Sequence, residues 1–397
     1  LDGEPVKNLK VRFLLGRENV PPGFQPFSDE LLAFSDQPVE RYVENEDAAT
    51  ILFTSGTTSF PKAVLNTHLN YYAALLSALH DLGSHHQHRV LLALPLFHSA
   101  GSYFLFSSVA TGATITLLPR IEPQAILEVI PRDRITMTAF PATVWAGLDQ
   151  VPGIDQIDFS SLKRVLVFQY LSTDVFKRWM ERVPQADWIN YWGQTEMIPL
   201  GASTRPGDIP RKLTAPDPIG FAHLPLEVRV VDEEMNDLPA GKVGELVTRG
   251  PACTPGYLED REATEMLFRG GWLHTGDMAY KDEEGFLYFV DRKKDMIKTG
   301  GENVSSQEVE EILARHPKVA EVAVFGLPHP YWIEMVAAAV ALKPGVQATE
   351  EELIAFAKEQ MAHFKAPKRI FFVDQLPRNP SGKILKRKLQ DQFADRV

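Results

Sequence analysis

A single cysteine, Cys253, stands among 397 residues. It excludes an intramolecular disulfide and fits a reducing compartment, so a cytoplasmic protein is expected. No uninterrupted apolar run approaches the length that crosses a bilayer, and the chain does not open on a signal-peptide pattern. Basic residues are in the minority. Forty-one Lys and Arg against 52 Asp and Glu leave a net charge of −11, which argues against general nucleic-acid binding. His85, His86 and His88 cluster without the cysteine or carboxylate pattern of a metal site, and read as a solvated loop.

What is present is ordinary in bulk and uneven in place. With 44% hydrophobic and 23% charged residues the chain resembles an average soluble protein. Its length calls for two or more domains. Residues up to about Glu46 are irregular and rich in Pro and Gly. Ala48 to Phe53 then reads as a short buried-type strand, and helical and strand patterns alternate after it, with Thr114 to Leu118 and Arg164 to Phe168 as further strands. Such alternation implies an α/β domain with a largely parallel sheet. From about 218 to 290 the texture becomes mostly β, with Leu226 to Val231, Gly244 to Thr248 and Phe286 to Val290 as strands. A third texture follows, in which Ser305–Glu308 and Thr349–Glu352 open two boxed helices around strands at Val319–Val324 and Val336–Leu342. The expected fold class is therefore α/β. A large N-terminal domain (1–291) carries a β-rich subdomain, and a small α+β domain (292–397) follows. Eight basic residues and one acid lie between Lys365 and Lys388. A solvated face is the default for such a run, and a surface that meets phosphate is the sharper reading.

Thr54, Ser55, Gly56, Thr57, Thr58 and Lys62 form the strongest local signal. Backbone N–H groups, hydroxyls and one cation at close quarters suit a polyphosphate. No Gly-Lys-Ser/Thr ends the loop, so it is not a Walker A motif. Alone, such a loop is an ordinary turn. Seven further landmarks follow it in order: Leu94–His98, Tyr191–Glu196, Gly244–Leu246, Trp272–Asp277, Asp291–Asp295, Lys298–Val304 and Pro377–Ile384. Together they resemble the adenylate-forming (AMP-binding) superfamily, in its acyl-CoA synthetase branch, and the resemblance covers nearly the whole chain. The superfamily's usual leading segment is expected to be lacking here.

The resemblance implies activation of a carboxylic acid with ATP and Mg²⁺, then transfer to coenzyme A. A carboxylate is already ionised at neutral pH, so attack on the α-phosphorus needs no general base. It needs positive charge, a metal and oriented dipoles to bring two anions together. By the resemblance Thr195 touches phosphate and Glu196 holds Mg²⁺. Tyr191, Trp192, Gly193 and Gln194 flank the nucleotide, with Trp192 offering a flat face to adenine. Asp277 binds the ribose hydroxyls and Arg292 joins it. Lys383 reaches the acyl carboxylate and α-phosphate during adenylation. Lys294 is the pivot of a mobile small domain, whose rotation withdraws Lys383 and brings Lys298, Gly300 and Gly301 to the site for the thioester step. His98, Phe168 and Gln169 line the acyl pocket. No acid lies in Leu96–Gly101 to hold an ammonium group, so an amino-acid substrate is not expected.

Two departures from the family pattern matter. Ser59 and Ala63 replace glycines of the phosphate loop. Val167, Phe168 and Gln169 replace a Gly-Gly-Ala wall, which implies a short or redirected acyl pocket or impaired catalysis. Two other readings therefore stay open: an adenylating enzyme that loads a carrier protein, and a nucleotide- or acyl-binding homologue with weakened chemistry. A homodimer is compatible with every reading.

Overall fold

The computed structural model describes residues 13–14, 25–26, 37, 40, 42–54, 61–168, 173–212, 217–378 and 384–396. The chain divides into two compact units, 1–44 and 45–397. In the first, β1 (Phe13–Leu14) pairs in parallel with β2 (Gln25–Pro26).

The second unit opens with β3 (Ala48–Thr54) and β4 (Lys62–Thr67), an antiparallel hairpin. Then come α1 (His68–His80), β5 (Arg89–Leu92), α2 (Ser99–Thr111), β6 (Thr114–Leu117) and α3 (Pro123–Arg132). β7 (Met137–Pro141), α4 (Ala142–Leu148), β8 (Arg164–Phe168), α5 (Thr173–Arg182) and β9 (Asp187–Gly193) complete the α/β part. β5 to β9 pair in parallel. Both faces are covered, so each strand is apolar on both sides. Val165 and Val167 point into a core with Trp145, Trp179 and Trp188 under α3 to α5, while Leu166 and Phe168 point to the α1–α2 side.

The β-rich stretch is part of the same sheet. β10 (Gly201–Ser203) joins β9, and α6 (Asp208–Lys212) leads to β11 (Pro218–Ala222), which pairs with β10. β12 (Glu227–Val231), β13 (Gly244–Arg249), β14 (Gly256–Tyr257), α7 (Arg261–Leu267), β15 (Leu273–Lys281) and β16 (Leu287–Arg292) follow. All but β14 extend one eleven-stranded sheet in the order β12-β13-β15-β16-β11-β10-β9-β8-β7-β5-β6. β14 instead adds to the β3–β4 hairpin, making β3 an edge strand. Ile51 and Phe53 are accordingly exposed, which corrects the expectation of a buried-type strand.

The small C-terminal domain has its own sheet. β17 (Ile297–Thr299) and β18 (Glu302–Val304) form a tight hairpin, followed by α8 (Ser306–Ala314), β19 (Val319–His329) and β20 (Ile333–Leu342). α9 (Glu350–Gln360), β21 (Arg369–Phe372) and α10 (Lys386–Phe393) finish the chain. The cap residues are the expected ones: Ser305 Oγ accepts from Glu308 N–H and Thr349 Oγ1 from Glu352 N–H. Glu308 does not complete its box, however, because its carboxylate is drawn to Lys365 Nζ at 2.7 Å.

One buried carboxyl lies between the large sheet and α8. Burial pushes the Asp217 carboxyl up to about 7, the charge of Glu311 adds to that, and the Asn190 amide donating to Oδ1 opposes it. A raised carboxyl binds its proton more tightly folded than unfolded. Its stabilisation is complete below about pH 4 and is lost as pH rises through 7, by at most about 4 kcal/mol. Asp217→Asn keeps an acceptor for Asn190 and removes the titration. The melting-temperature difference between variant and parent is therefore expected to grow in the variant's favour from pH 5 to pH 8. A constant difference would place the ionisation elsewhere.

Candidate active site

Ligands of open α/β sheets gather beyond the carboxyl ends of the parallel strands. Three of the sequence landmarks lie there. Leu94–His98 follows β5, Phe168 ends β8, and Trp192–Glu196 leaves β9. His98 caps α2 through Nδ1, which accepts from Ala100 N–H at 3.3 Å. Crowding by protein atoms lowers its pKa from the usual imidazole value, so Nδ1 stays an acceptor and the proton resides on Nε2. The next residue bridges to the landmark that leaves β9: Ser99 Oγ is 3.3 Å from Thr195 Oγ1. Gly193 is required at its place, because a Cβ there would lie 1.4 Å from Pro199 O.

Glu196 and Lys62 meet through a residue the sequence did not single out. Tyr257, on β14, donates its hydroxyl to Glu196 Oε1 at 2.9 Å, and Lys62 Nζ lies 4.7 Å from the centre of its ring. Burial and the neighbouring Glu196 charge both raise the Tyr257 pKa, so the phenol remains a donor. Only Pro-Gly-Tyr, a turn signal, marked this position in the sequence. Ser55, Gly56, Thr57 and Thr58 fall outside the described residues, but Thr54 and Lys62 hold the two ends of that loop side by side on β3 and β4.

The second group surrounds Asp277, which is 1% exposed. Its Oδ2 accepts from Trp192 Nε1 and Gln194 Nε2, each at 2.9 Å, and its Oδ1 faces Arg292 Nε at 2.8 Å. The pairing of β15 with β16 sets this up, since Asp277 and Arg292 are register partners. Neighbouring Glu245 ties the same strands to the next turn, through Lys293 Nζ at 2.8 Å and His274 Nδ1 at 3.2 Å.

Other expected site residues are placed differently. Tyr191 is 3% exposed and turned into the core, its ring against His223 and Phe168. Side chains alternate along β9, so Tyr191 and Trp192 point to opposite faces of the sheet, and Trp192 is the one beside Asp277. Gly300 and Gly301 have φ of 61° and 87° and form the two-residue turn between β17 and β18. Positive φ at both central positions is what such a turn demands. Lys298 is exposed on the same hairpin, and Lys294 lies in the turn that follows β16. Gln169 and Lys383 lie outside the described residues.

A polyphosphate with Mg²⁺ fits this donor set. Glu196 offers one carboxylate beside the Thr195 hydroxyl, and Mg²⁺ is commonly held by one or two carboxylates plus substrate phosphates. Comparison with known proteins decides the family. Residues 5–258 match the AMP-binding enzyme family, and residues 308–383 match the AMP-binding enzyme C-terminal domain. The chain belongs to that family.

Similar proteins include acid–CoA ligases. The 2-succinylbenzoate–CoA ligase of Bacillus licheniformis is 36% identical over 354 residues, covering 87% of this chain and 70% of that protein. The crotonobetaine/carnitine–CoA ligase of Salmonella arizonae is 37% identical, covering 87% and 67% respectively. Among solved structures, an anthranilate CoA ligase in complex with anthranoyl-AMP superposes with a TM-score of 0.88 at 29% identity. That match covers 98% of this chain and 75% of the other.

Proposed function

We propose that this AMP-binding enzyme joins a carboxylic acid to coenzyme A in two steps. In the first, a carboxylate oxygen attacks the α-phosphorus of ATP and the bond to pyrophosphate breaks, leaving an acyl-adenylate. In the second, the thiolate sulfur of coenzyme A attacks the acyl carbonyl, and AMP leaves with the bonding electrons. The observation that carries this reading is the Asp277 cluster next to Thr195 and Glu196, an arrangement that suits a carboxylate for ribose beside groups for phosphate and Mg²⁺. Bound Mg²⁺ would be held by Glu196 and would neutralise phosphate charge. Tyr257 fixes the rotamer of that carboxylate, and Lys62 adds positive charge at the loop.

Relatives act on aromatic and aliphatic acids, among them feruloyl, 2-succinylbenzoate and long-chain fatty acyl groups. An acid of that class, rather than an amino acid, is the proposed substrate, since Leu96–Gly101 carries no carboxylate. The small domain, proposed to begin at 292 and pivot at Lys294, would present Lys383 in the first step and Lys298 with Gly300–Gly301 in the second. Among the described residues no helix is long and apolar enough to cross a membrane. A cytoplasmic homodimer is part of the same proposal, and cell fractionation and sedimentation check it.

Pyrophosphate exchange into ATP tests the first step, with acetate, octanoate, palmitate, benzoate, ferulate and 2-succinylbenzoate in turn. Adding coenzyme A or a phosphopantetheinylated carrier protein then identifies the acceptor. Exchange with none of these acids would overturn the reading. Tyr257→Phe is expected to raise the Mg²⁺ concentration needed for half-maximal exchange about 10-fold, because an outer partner of a metal-binding carboxylate typically contributes 10–100-fold. An unchanged Mg²⁺ dependence would remove Tyr257 from the site.

A further inference from the structure

β15 does not run evenly past its neighbour β13. Glu245 pairs with Met278 and Val247 with His274, so Thr275, Gly276 and Asp277 together stand opposite the single residue Leu246. The extra residues make a bulge, a device that re-aims a side chain out of the regular pleat. Gly276 takes up the turn with a φ of 67°, in the left-handed region that favours glycine. The residue re-aimed is Asp277, which keeps its register with Arg292 on the other side of the strand.

A set of hydrogen bonds holds the bulge, and one hydroxyl serves in two of them. Thr275 is 6% exposed. Its Oγ1 donates to Leu246 O at 2.5 Å and accepts from Asp277 N–H at 3.1 Å. It thus gives Leu246 a partner where the ladder is interrupted, and fixes the backbone of the carboxylate through the same atom. The neighbouring carbonyls are taken as well. Thr275 O accepts from Gln194 Nε2 and Gly276 O from Lys293 N–H, each at 2.8 Å. Gln194 Nε2 also reaches Asp277 Oδ2 at 2.9 Å, so the loop after β9 grips the bulge and the carboxylate together. A valine of the same shape would fill the space of Thr275 and leave Leu246 O and Asp277 N–H without this partner.

We propose that Thr275 is a positioning residue for nucleotide binding: its hydroxyl sets the β15 bulge and so aims the Asp277 carboxylate at the ribose hydroxyls. This rests on the reading of Asp277 as the ribose-binding carboxylate. Thr275 works through Asp277 and not by a contact of its own with the nucleotide. Its loss therefore weakens the part of the affinity that comes from the ribose hydroxyls and spares the part that comes from phosphate.

The test measures binding of ATP, 2′-deoxy-ATP and 3′-deoxy-ATP to the full chain by calorimetry with Mg²⁺, well below each variant's melting temperature. A hydrogen bond to a charged acceptor corresponds to about 10–100-fold in affinity. The parent is expected to prefer ATP over at least one deoxy analogue by that factor. Thr275→Val is expected to weaken ATP about 10-fold and the analogue far less, so the preference shrinks about 10-fold. Thr275→Ser keeps the hydroxyl and is expected to retain the preference of the parent. The preference is a ratio taken on folded protein, so a loss of stability alone does not move it. Gly276→Ala reaches the same bulge by a second route. Open space surrounds the added methyl group and only the positive φ opposes it, so this variant is expected to fold and to lose preference too. Should Thr275→Val not fold, Gly276→Ala decides the same question.

An undiminished preference in Thr275→Val overturns the positioning role and leaves the ribose reading of Asp277 intact. So does a Thr275→Ser variant as poor as Thr275→Val, since the hydroxyl is then not the group that matters. A parent that binds ATP and both analogues equally, or binds none of them, overturns the ribose reading and the role of Thr275 with it.

Discussion

Asp277→Asn is expected to abolish useful ATP binding while leaving a folded protein. Oδ2 of the carboxylate accepts hydrogen bonds from Trp192 and Gln194, and Oδ1 is ion-paired with Arg292. An asparagine has one acceptor oxygen and one NH₂ group. Whichever way it turns, a donor faces a donor, either at Arg292 or at the Trp192–Gln194 pair. With Asp277 holding the ribose hydroxyls as proposed, losing two charge-assisted hydrogen bonds, at roughly 1.5–3 kcal/mol each, corresponds to about 10²–10⁴-fold in kcat/KM for ATP. Weakening the pair with Arg292, whose side chain is partly exposed, adds a smaller destabilisation, visible as a lowered melting temperature. Binding of ATP measured by calorimetry, next to a thermal melt, distinguishes the two contributions. A variant that melts lower but binds ATP as the parent does would make Asp277 a structural residue of the β15–β16 pair and nothing more.

The landmarks proposed to carry chemistry were legible because their residue types are dictated locally. A Ser/Thr/Gly loop ended by Lys62, the Thr195–Glu196 pair and the Asp277 turn each announce polar groups that a loop at a strand end can present. Their geometry was less so, since it is fixed by residues distant in sequence. Ala48–Phe53 is apolar enough to be a core strand, and only its pairing with β4 alone makes it an edge with Ile51 and Phe53 in solvent. The stretch from 218 to 290 changes texture because its strands are antiparallel. Its junction with the α/β part depends on β11 pairing with both β10 and β16, contacts with no local signature. Tyr191 and Trp192 look equivalent as a pair of aromatics. Strand alternation sends one into the core and leaves the other at Asp277. Tyr257 escaped notice because its partner Glu196 is 61 residues away. Gly193 was legible as part of a motif, but its reason, the carbonyl of Pro199, was not.

Phe168→Gly is expected to change which acids the enzyme accepts. Phe168 stands where the family pattern of the sequence analysis expects glycine, and its ring occupies roughly 150–250 Å² of contact surface when buried. It ends β8 on the α1–α2 side, with ring centres 6.0 Å from Phe104 on α2 and 5.7 Å from Tyr191 on β9. α2 is the helix capped by His98, so the ring stands between that histidine's helix and the carboxyl ends of the strands. It is partly exposed, unlike Val167 before it, which is fully buried in the opposite core. In the proposed pocket, a ring in this place would limit the depth available to an acyl chain. Removing it should lower KM for octanoate or 2-succinylbenzoate relative to acetate by about 10-fold or more, since each added buried methylene gains about 0.8 kcal/mol. Phe168→Ala, which avoids the added backbone freedom of glycine, should move the profile in the same direction. The competing outcome follows from the same contacts. If Phe168 serves only to pack Phe104 and Tyr191, truncation costs roughly 3–5 kcal/mol of stability and leaves the order of acids as it was. A melting curve and a chain-length profile on the same two variants decide between them, and a lower melting temperature with an unaltered profile would take Phe168 out of the pocket.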